Sequence, residues 1–177
     1  VNDNNKEKNF ISAVVYVHND EPHIGEFLST VHGTLAENFL NFEIICVNDA
    51  SSDRSANAIK QAGAALSGAP LAIINMGHYH GLELSMNAGV DLAIGDFVFE
   101  FDTIQLDYDA SLIMDVYHHS LTGYDIVSAA PKTLSAGSSK LFYRLFNRHF
   151  EGTSTLRTES FRLLSRRAIN RVHAISK

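Results

Sequence analysis

Apolar residues recur along this chain with two alternating periods. Short runs of strand formers occupy Ile11 to Val17, Phe42 to Val47, Leu71 to Ile74, Asp96 to Phe101 and Asp125 to Ala129. The segments between them repeat at helical spacing. Ile24, Phe27, Leu28, Val31, Leu35 and Phe39 return every three or four positions, as in a stripe that covers a sheet face. Ala56 to Leu66, Leu82 to Ala93 and Ala110 to Leu121 carry the same signal. This βαβα rhythm predicts an α/β fold with a mainly parallel central sheet, helices on both faces and right-handed crossovers.

After Pro131 the pattern changes. Thr133 to Ser139 reads as a loop, and a helix is expected from about Ser139 to Phe150. Lys140, Arg144 and Arg148 fall four apart on it beside Leu141, Phe142, Leu145, Phe146 and Phe150. Such a basic amphipathic helix can dock on the core with its cations solvated, or lie at a membrane surface. Glu151 to Thr158 reads as a second loop, Ser160 to Ser165 as a strand and Arg166 to His173 as a helix.

The chain has 177 residues, 45% hydrophobic and 19% charged, which fits one globular domain spanning residues 1–177. The polar start, Val1 to Asn9, has neither signal-peptide nor transit-peptide character and is expected to be disordered. Apolar runs stay well short of the ~20 residues of a membrane helix. Cys46, the single cysteine, excludes an internal disulfide and reads as a buried, inert thiol. Charge divides the chain unevenly: 4 Lys+Arg face 18 Asp+Glu up to Pro131, and 10 face 2 beyond it. The basic part suits phosphates, an anionic surface or the acidic part itself.

Four turns then carry the candidate chemistry. Ligands of open α/β sheets bind beyond the carboxyl ends of the strands, and there the sequence places Tyr16 with His18, Asn19 and Asp20, then Asp49 with Ser51, Ser52 and Asp53. Asp53 or Ser52 is placed to cap a helix beginning near Arg54. Asn75 to Gly89 supplies glycines and a helix start suited to an anion. A fourth strand ends in Glu100 and Asp102. His78, His80, His118 and His119 have no clustered third ligand and read as surface or packed side chains rather than a zinc site. Neither a Walker loop nor a dinucleotide fingerprint is present.

In order and spacing these turns resemble the inverting, GT-A-fold glycosyltransferases of family 2, over nearly the whole chain. His18-Asn19-Asp20 stands for the family's Tyr-Asn-Glu-like triplet, and Asn48-Asp49-Ala50-Ser51-Ser52-Asp53 for its Asp-Asp-Gly-Ser-x-Asp turn. Gly81, Ser85, Asn87 and Gly89 match its Gly-x-x-x-Ala-x-Asn-x-Gly helix start. Ala93, Gly95, Asp96 and Asp102 match the Ala-x-Gly-Asp segment that leads to an Asp-x-Asp. Asp102 to Asp107, and the Phe161-Arg162-Leu163 stretch with Arg166, are similar to the polyprenyl-phosphate sugar transferase branch that includes dolichol-phosphate mannose synthase.

The resemblance implies a GT-A-type, Rossmann-like three-layer sandwich, with residues 10–131 as the nucleotide-sugar-binding half and 132–177 as a basic, acceptor-side segment truncated at its end. It implies a nucleoside-diphosphate sugar donor and a polyprenyl phosphate or glycan acceptor, with no nucleic acid partner. Tyr16, His18, Asn19, Asp20, Asp49, Ser51, Gly81 and Asn87 would bind the nucleotide, Asp49 through the base or ribose. Lys132 and Arg162 would contact phosphate. Asp102 would be the catalytic acid that holds Mg²⁺ or Mn²⁺ at the diphosphate. The intact protein would work at the cytoplasmic face of a membrane.

Three departures alter that picture. Ile104 replaces the second Asp of Asp-x-Asp, which puts the metal in question and leaves Asp107 or Glu100 as substitutes. Tyr16 stands where Pro is common, and Asn48 where the first Asp of the turn is. The family's acidic general base is matched by nothing, with Glu159 as an alternative. A non-catalytic nucleotide-binding or assembly module is the rival reading, and a flavodoxin-like domain a more distant one.

Overall fold

The computed structural model describes residues 5–66, 68, 70–129 and 160–175. Its strands are β1 (Ile11–Val17), β2 (Phe42–Asn48), β3 (Leu71–Asn75), β4 (Phe97–Phe101), β5 (Ile126–Ala129) and β6 (Phe161–Ser165). Its helices are α1 (Ile24–Asn38), α2 (Ser55–Ala65), α3 (Leu82–Leu92), α4 (Ser111–Ser120) and α5 (Arg166–Ile175). They form one six-stranded sheet in the order β3-β2-β1-β4-β6-β5. β1 to β4 are mutually parallel, and β6 runs antiparallel to both β4 and β5.

Two-residue alternation divides the sheet between two helical layers. In β1, Ile11, Ala13, Val15 and Val17 face α1, α2 and α4, where they meet Phe27, Leu35, Ile59 and Tyr117. Val14 points the other way, joining Ile45 and Val47 against Met86 and Val90 of α3, with Ile169 of α5 in the same cluster. Because strands sandwiched this way are wet on neither face, they read as nearly continuous apolar runs. A Cβ on Gly89 would sit 2.3 Å from Val14 Cγ1 and 2.9 Å from Val47 Cγ2, so α3 lies this close to the sheet only because that position is glycine. Burial pushes the Cys46 thiol up to about 12, which leaves it protonated and inert.

Two expectations need correction. The polar start is anchored where it is described: Glu7 N–H donates to the Asn38 carbonyl at 2.8 Å, and Leu40 N–H donates to that of Glu7 at 3.0 Å. Backbone pairing with the end of α1 needs no apolar side chains, so composition did not reveal it. The N-cap of α2 is Arg54, with no side-chain cap from that residue; Asp53 Oδ1 instead accepts the Ser55 N–H at 2.9 Å. The expected 139–150 helix and its flanking loops, with Lys132 and Glu159, lie outside the described residues.

Candidate nucleotide-binding site

The parallel strands β1 to β4 all end on one edge, and there the loops to α1, α2 and α3 gather around Asp49. Its carboxylate is 0% exposed. Oδ1 accepts the His80 N–H at 2.8 Å, and Oδ2 accepts the Gly81 N–H at 2.8 Å and the Tyr16 hydroxyl at 3.1 Å. Burial by itself would raise the Asp49 pKa. The donors from His80, Gly81 and Tyr16 outweigh that and hold it below the usual carboxylate range. Burial, together with the hydrogen bond to Asp49 and that residue's charge, pushes the Tyr16 phenol well up. The start of α3 therefore already carries an anion, the protein's own, at N–H groups the sequence left open for a ligand.

The first two loops are joined through Asn19, which has φ +59°. Asn tolerates that left-handed conformation better than most residues. Its Oδ1 accepts the Ser52 N–H at 2.8 Å and the Ser52 hydroxyl at 3.1 Å, while its own N–H donates to Ser51 Oγ at 3.0 Å. Asp20 N–H donates to Ser55 Oγ at 2.8 Å, and Glu21 N–H to Asp53 Oδ2 at 3.0 Å. Hydrogen bonds from Ser55 and Glu21 outweigh burial and hold the Asp53 carboxyl low. Asn48 Nδ2 ties the second loop to β3 through Asn75 Oδ1 at 2.9 Å. Ala50 takes φ +50° at the position where the resemblance has Gly.

His18 Nδ1–H donates to the Asp49 carbonyl at 2.7 Å, which leaves Nε2 to accept from Asn19 Nδ2 at 3.1 Å. The His18 ring lies 4.8 Å from that of Tyr79, tilted by 58°. His78 and His80 stack at 3.9 Å in the same β3–α3 loop. Sequence reasoning left these three loop residues out of the site because a turn carries no periodicity. The signal available was an aromatic residue flanked by histidines directly ahead of a helix start.

At the end of β4 the acids separate. Ile104 is 6% exposed and belongs to the core beneath α1, where it also lines a cavity of 370 Å³ with Asp20, His23, Glu26, Phe27 and Leu106. Glu100, 3% exposed, forms an ion pair with Arg162, which is 40% exposed and directly opposite in the β4–β6 register. Glu100 is thus paired with Arg162 across the sheet. Asp107 is exposed and accepts the Ser160 hydroxyl at 3.3 Å. Among the described residues no group of three or more His, Cys, Asp or Glu is gathered for a metal.

Tyr16, His18, Asn19, Asp20, Asp49, Ser51 and Gly81 come together at the first three loops. Asn87 does not join them: it lines a separate 470 Å³ cavity between α3 and α5, with Glu100 and Arg162 also in its walls. His119 stacks on Tyr124 at 4.9 Å, away from these loops. Among the described residues no helix is long and apolar enough to cross a membrane.

Comparison with known proteins points in one direction. A family model described as "Glycosyl transferase family 2" matches residues 12–103, just over half of the chain. An uncharacterized glycosyltransferase of Synechocystis sp. is 27% identical over 168 residues, covering 92% of this chain and 52% of the relative. An undecaprenyl-phosphate 4-deoxy-4-formamido-L-arabinose transferase of Aeromonas hydrophila is 30% identical over 124 residues, 70% of this chain and 37% of the relative. The chain thus spans about half or less of these relatives. In fold it is similar to a mannosyltransferase from Pyrobaculum calidifontis, solved in complex with GDP-Man and Mn²⁺, with a TM-score of 0.70 at 15% identity over 94% of this chain and 47% of that one.

Proposed function

The chain belongs to glycosyl transferase family 2, and from that premise we propose that it binds a nucleoside-diphosphate sugar for transfer, with inversion, to a polyprenyl phosphate or glycan acceptor. The observation that carries this reading is the convergence on Asp49 of three loops at one sheet edge. Relatives and the structural neighbour whose names include undecaprenyl phosphate, GDP-Man and Mn²⁺ support it.

In the proposed reaction an acceptor oxygen bonds to the anomeric carbon from the side opposite the diphosphate. The bond from that carbon to the diphosphate oxygen breaks, and its electron pair leaves with the nucleoside diphosphate. The loops at His18, Asn19 and Ser51 hold the nucleoside, and Asp49, itself covered, keeps β2 and the start of α3 in register beneath it. Asp102 follows β4 directly, at the edge where the diphosphate would lie. Mg²⁺ and Mn²⁺ in nucleotide enzymes take one or two carboxylates, and phosphate oxygens complete the shell. Asp102 alone meets that minimum, and a bound ion there would offset the charge of the leaving diphosphate. Arg162 faces phosphate only where Glu100 leaves it room. Placement of the intact protein at the cytoplasmic face of a membrane belongs to the same proposal.

The burial of Ile104 in the core favours a second reading, a nucleotide-binding module without catalysis. Calorimetric titration with UDP and GDP, with and without Mn²⁺, separates the two. Binding strengthened by Mn²⁺ and no longer strengthened in Asp102→Ala supports the transferase. Binding indifferent to Mn²⁺ supports the module, and an absence of nucleotide binding defeats both.

A further inference from the structure

β3 closes the sheet on one side, with β2 as its strand neighbour. Ile44 N–H donates to the Pro70 carbonyl at 3.0 Å, and Met76 N–H donates to that of Asn48 at 2.9 Å. Hydrogen-bonding direction alternates along a strand. The backbone groups of Ala72 and Ile74 are therefore spent on β2, and those of Leu71, Ile73 and Asn75 point away from the sheet. Among the described residues no strand pairs with this outer row. Such a row is a template for a further strand, and edges are ordinarily blunted by charge, proline or a bulge. Leu71-Ala-Ile-Ile-Asn75 carries no charge and no proline, and its register with β2 runs without a bulge.

The faces of β3 narrow the choice of partner. Leu71 and Ile73 pack on the core cluster that includes Ile59 of α2, and Ala72 and Ile74 on the cluster that includes Met86 of α3. All four stay half-buried. A strand with one polar face would cover one of these layers and set polar side chains against the other. The occupant must be apolar on both faces and uncharged, and β3 is itself such a strand. Its central residue, Ile73, is one of those whose backbone points outward, so a two-fold axis can pass through it.

We propose that β3 pairs with β3 of a second copy of this chain, antiparallel about a two-fold axis at Ile73, so that one sheet continues through both molecules. Ile73 then exchanges both backbone bonds with its own counterpart, and Leu71 does so with Asn75 of the other copy. Ala72 lies opposite Ile74, apolar against apolar, and no like charges face each other. The pairing uses none of the residues assigned to the nucleotide, so it stands or falls separately from that reading.

Sedimentation velocity on the full chain over a concentration series tests it, together with amide hydrogen exchange read residue by residue by NMR at the lowest and highest concentrations. Expected is a monomer–dimer equilibrium in which the Leu71, Ile73 and Asn75 amides gain protection as concentration rises. Ala72 and Ile74, bonded to β2, should be protected throughout. Ile73→Pro removes an outward donor and no bond to β2, a position where an edge strand accepts proline. It should raise the dimer dissociation constant by about tenfold or more, or about 1.4 kcal/mol. Should that variant fail to fold, exchange on the wild type still decides. A dimer whose Leu71, Ile73 and Asn75 amides stay unprotected, or a folded Ile73→Pro that associates as tightly as wild type, overturns the inference. A chain monomeric at every concentration overturns it too and leaves the edge to a strand of another protein.

Discussion

The ends of β2 and β4 lie on one edge of the sheet with only β1 between them, and each strand is followed by an aspartate. At β2 the neighbouring loops bring Asp49 two backbone N–H groups and a phenol, and the carboxylate disappears into the scaffold. Beyond β4 the chain puts Ile104 into the core, while Glu100 one residue before the strand's end pairs with Arg162 across the sheet. The difference teaches that a strand-end carboxylate is not defined by its place in the topology. The donors that adjacent loops deliver decide how far it becomes part of the scaffold.

Asp49→Ala should bring the largest loss. It strands two part-buried N–H groups and a hydroxyl, each at roughly 1–3 kcal/mol, so urea unfolding should show a loss of about 4 kcal/mol of stability. The same carboxylate sets a pH response. Its folded pKa lies below the ordinary value, so its stabilisation is complete above the unfolded pKa of about 4 and is lost as pH falls through the depressed value. Stability measured across that acid range should lose part of its slope in Asp49→Asn. A mild effect of Asp49→Ala would break the comparison, because the β2 end would then be no more knitted than the β4 end.

Next in size is Ile104→Asp, which would recreate the family's second acid inside an apolar environment. Stranding a buried charge costs about 3 kcal/mol or more, and the like charges of Asp20 and Glu26 share its cavity. The variant should unfold earlier in urea and gain no Mn²⁺ affinity by calorimetry. Tighter Mn²⁺ binding at unchanged stability would instead make the β4 end a metal site interrupted by a single side chain.

Ala50→Gly is the smallest. A non-glycine residue in the left-handed region carries about 1–2 kcal/mol of strain, and Ala50 sits there at φ +50°. After the entropy of the added glycine is subtracted, the variant should be more stable by up to about 1 kcal/mol. A lower thermal midpoint would mean that the β2 loop is shaped by its hydrogen bonds without strain at that residue.

Much of the fold was legible in the chain. β1 occupies Ile11–Val17 as the apolar run indicated, and the other strands begin or end within a residue of their expected bounds, because strands covered on both faces are mostly apolar and end near the polar turns. The α1 stripe was equally plain. Strand direction was not: the run Phe161–Ser165 has nothing in it to say that β6 is antiparallel. Asn87 matched a motif by spacing yet faces a different cavity, since its position on α3 is set by the close packing at Gly89.

By itself, then, the sequence determined which segments become strands and helices and which loops carry polar groups, because burial and periodicity act along the chain. The tertiary structure alone decided what those polar groups do. Asp49 and Glu100 acquire their roles from partners 31 to 62 positions distant, through the Tyr16, His80 and Arg162 contacts. Hydrogen bonds and ion pairs act over about 3–4 Å, and only folding brings such residues that close.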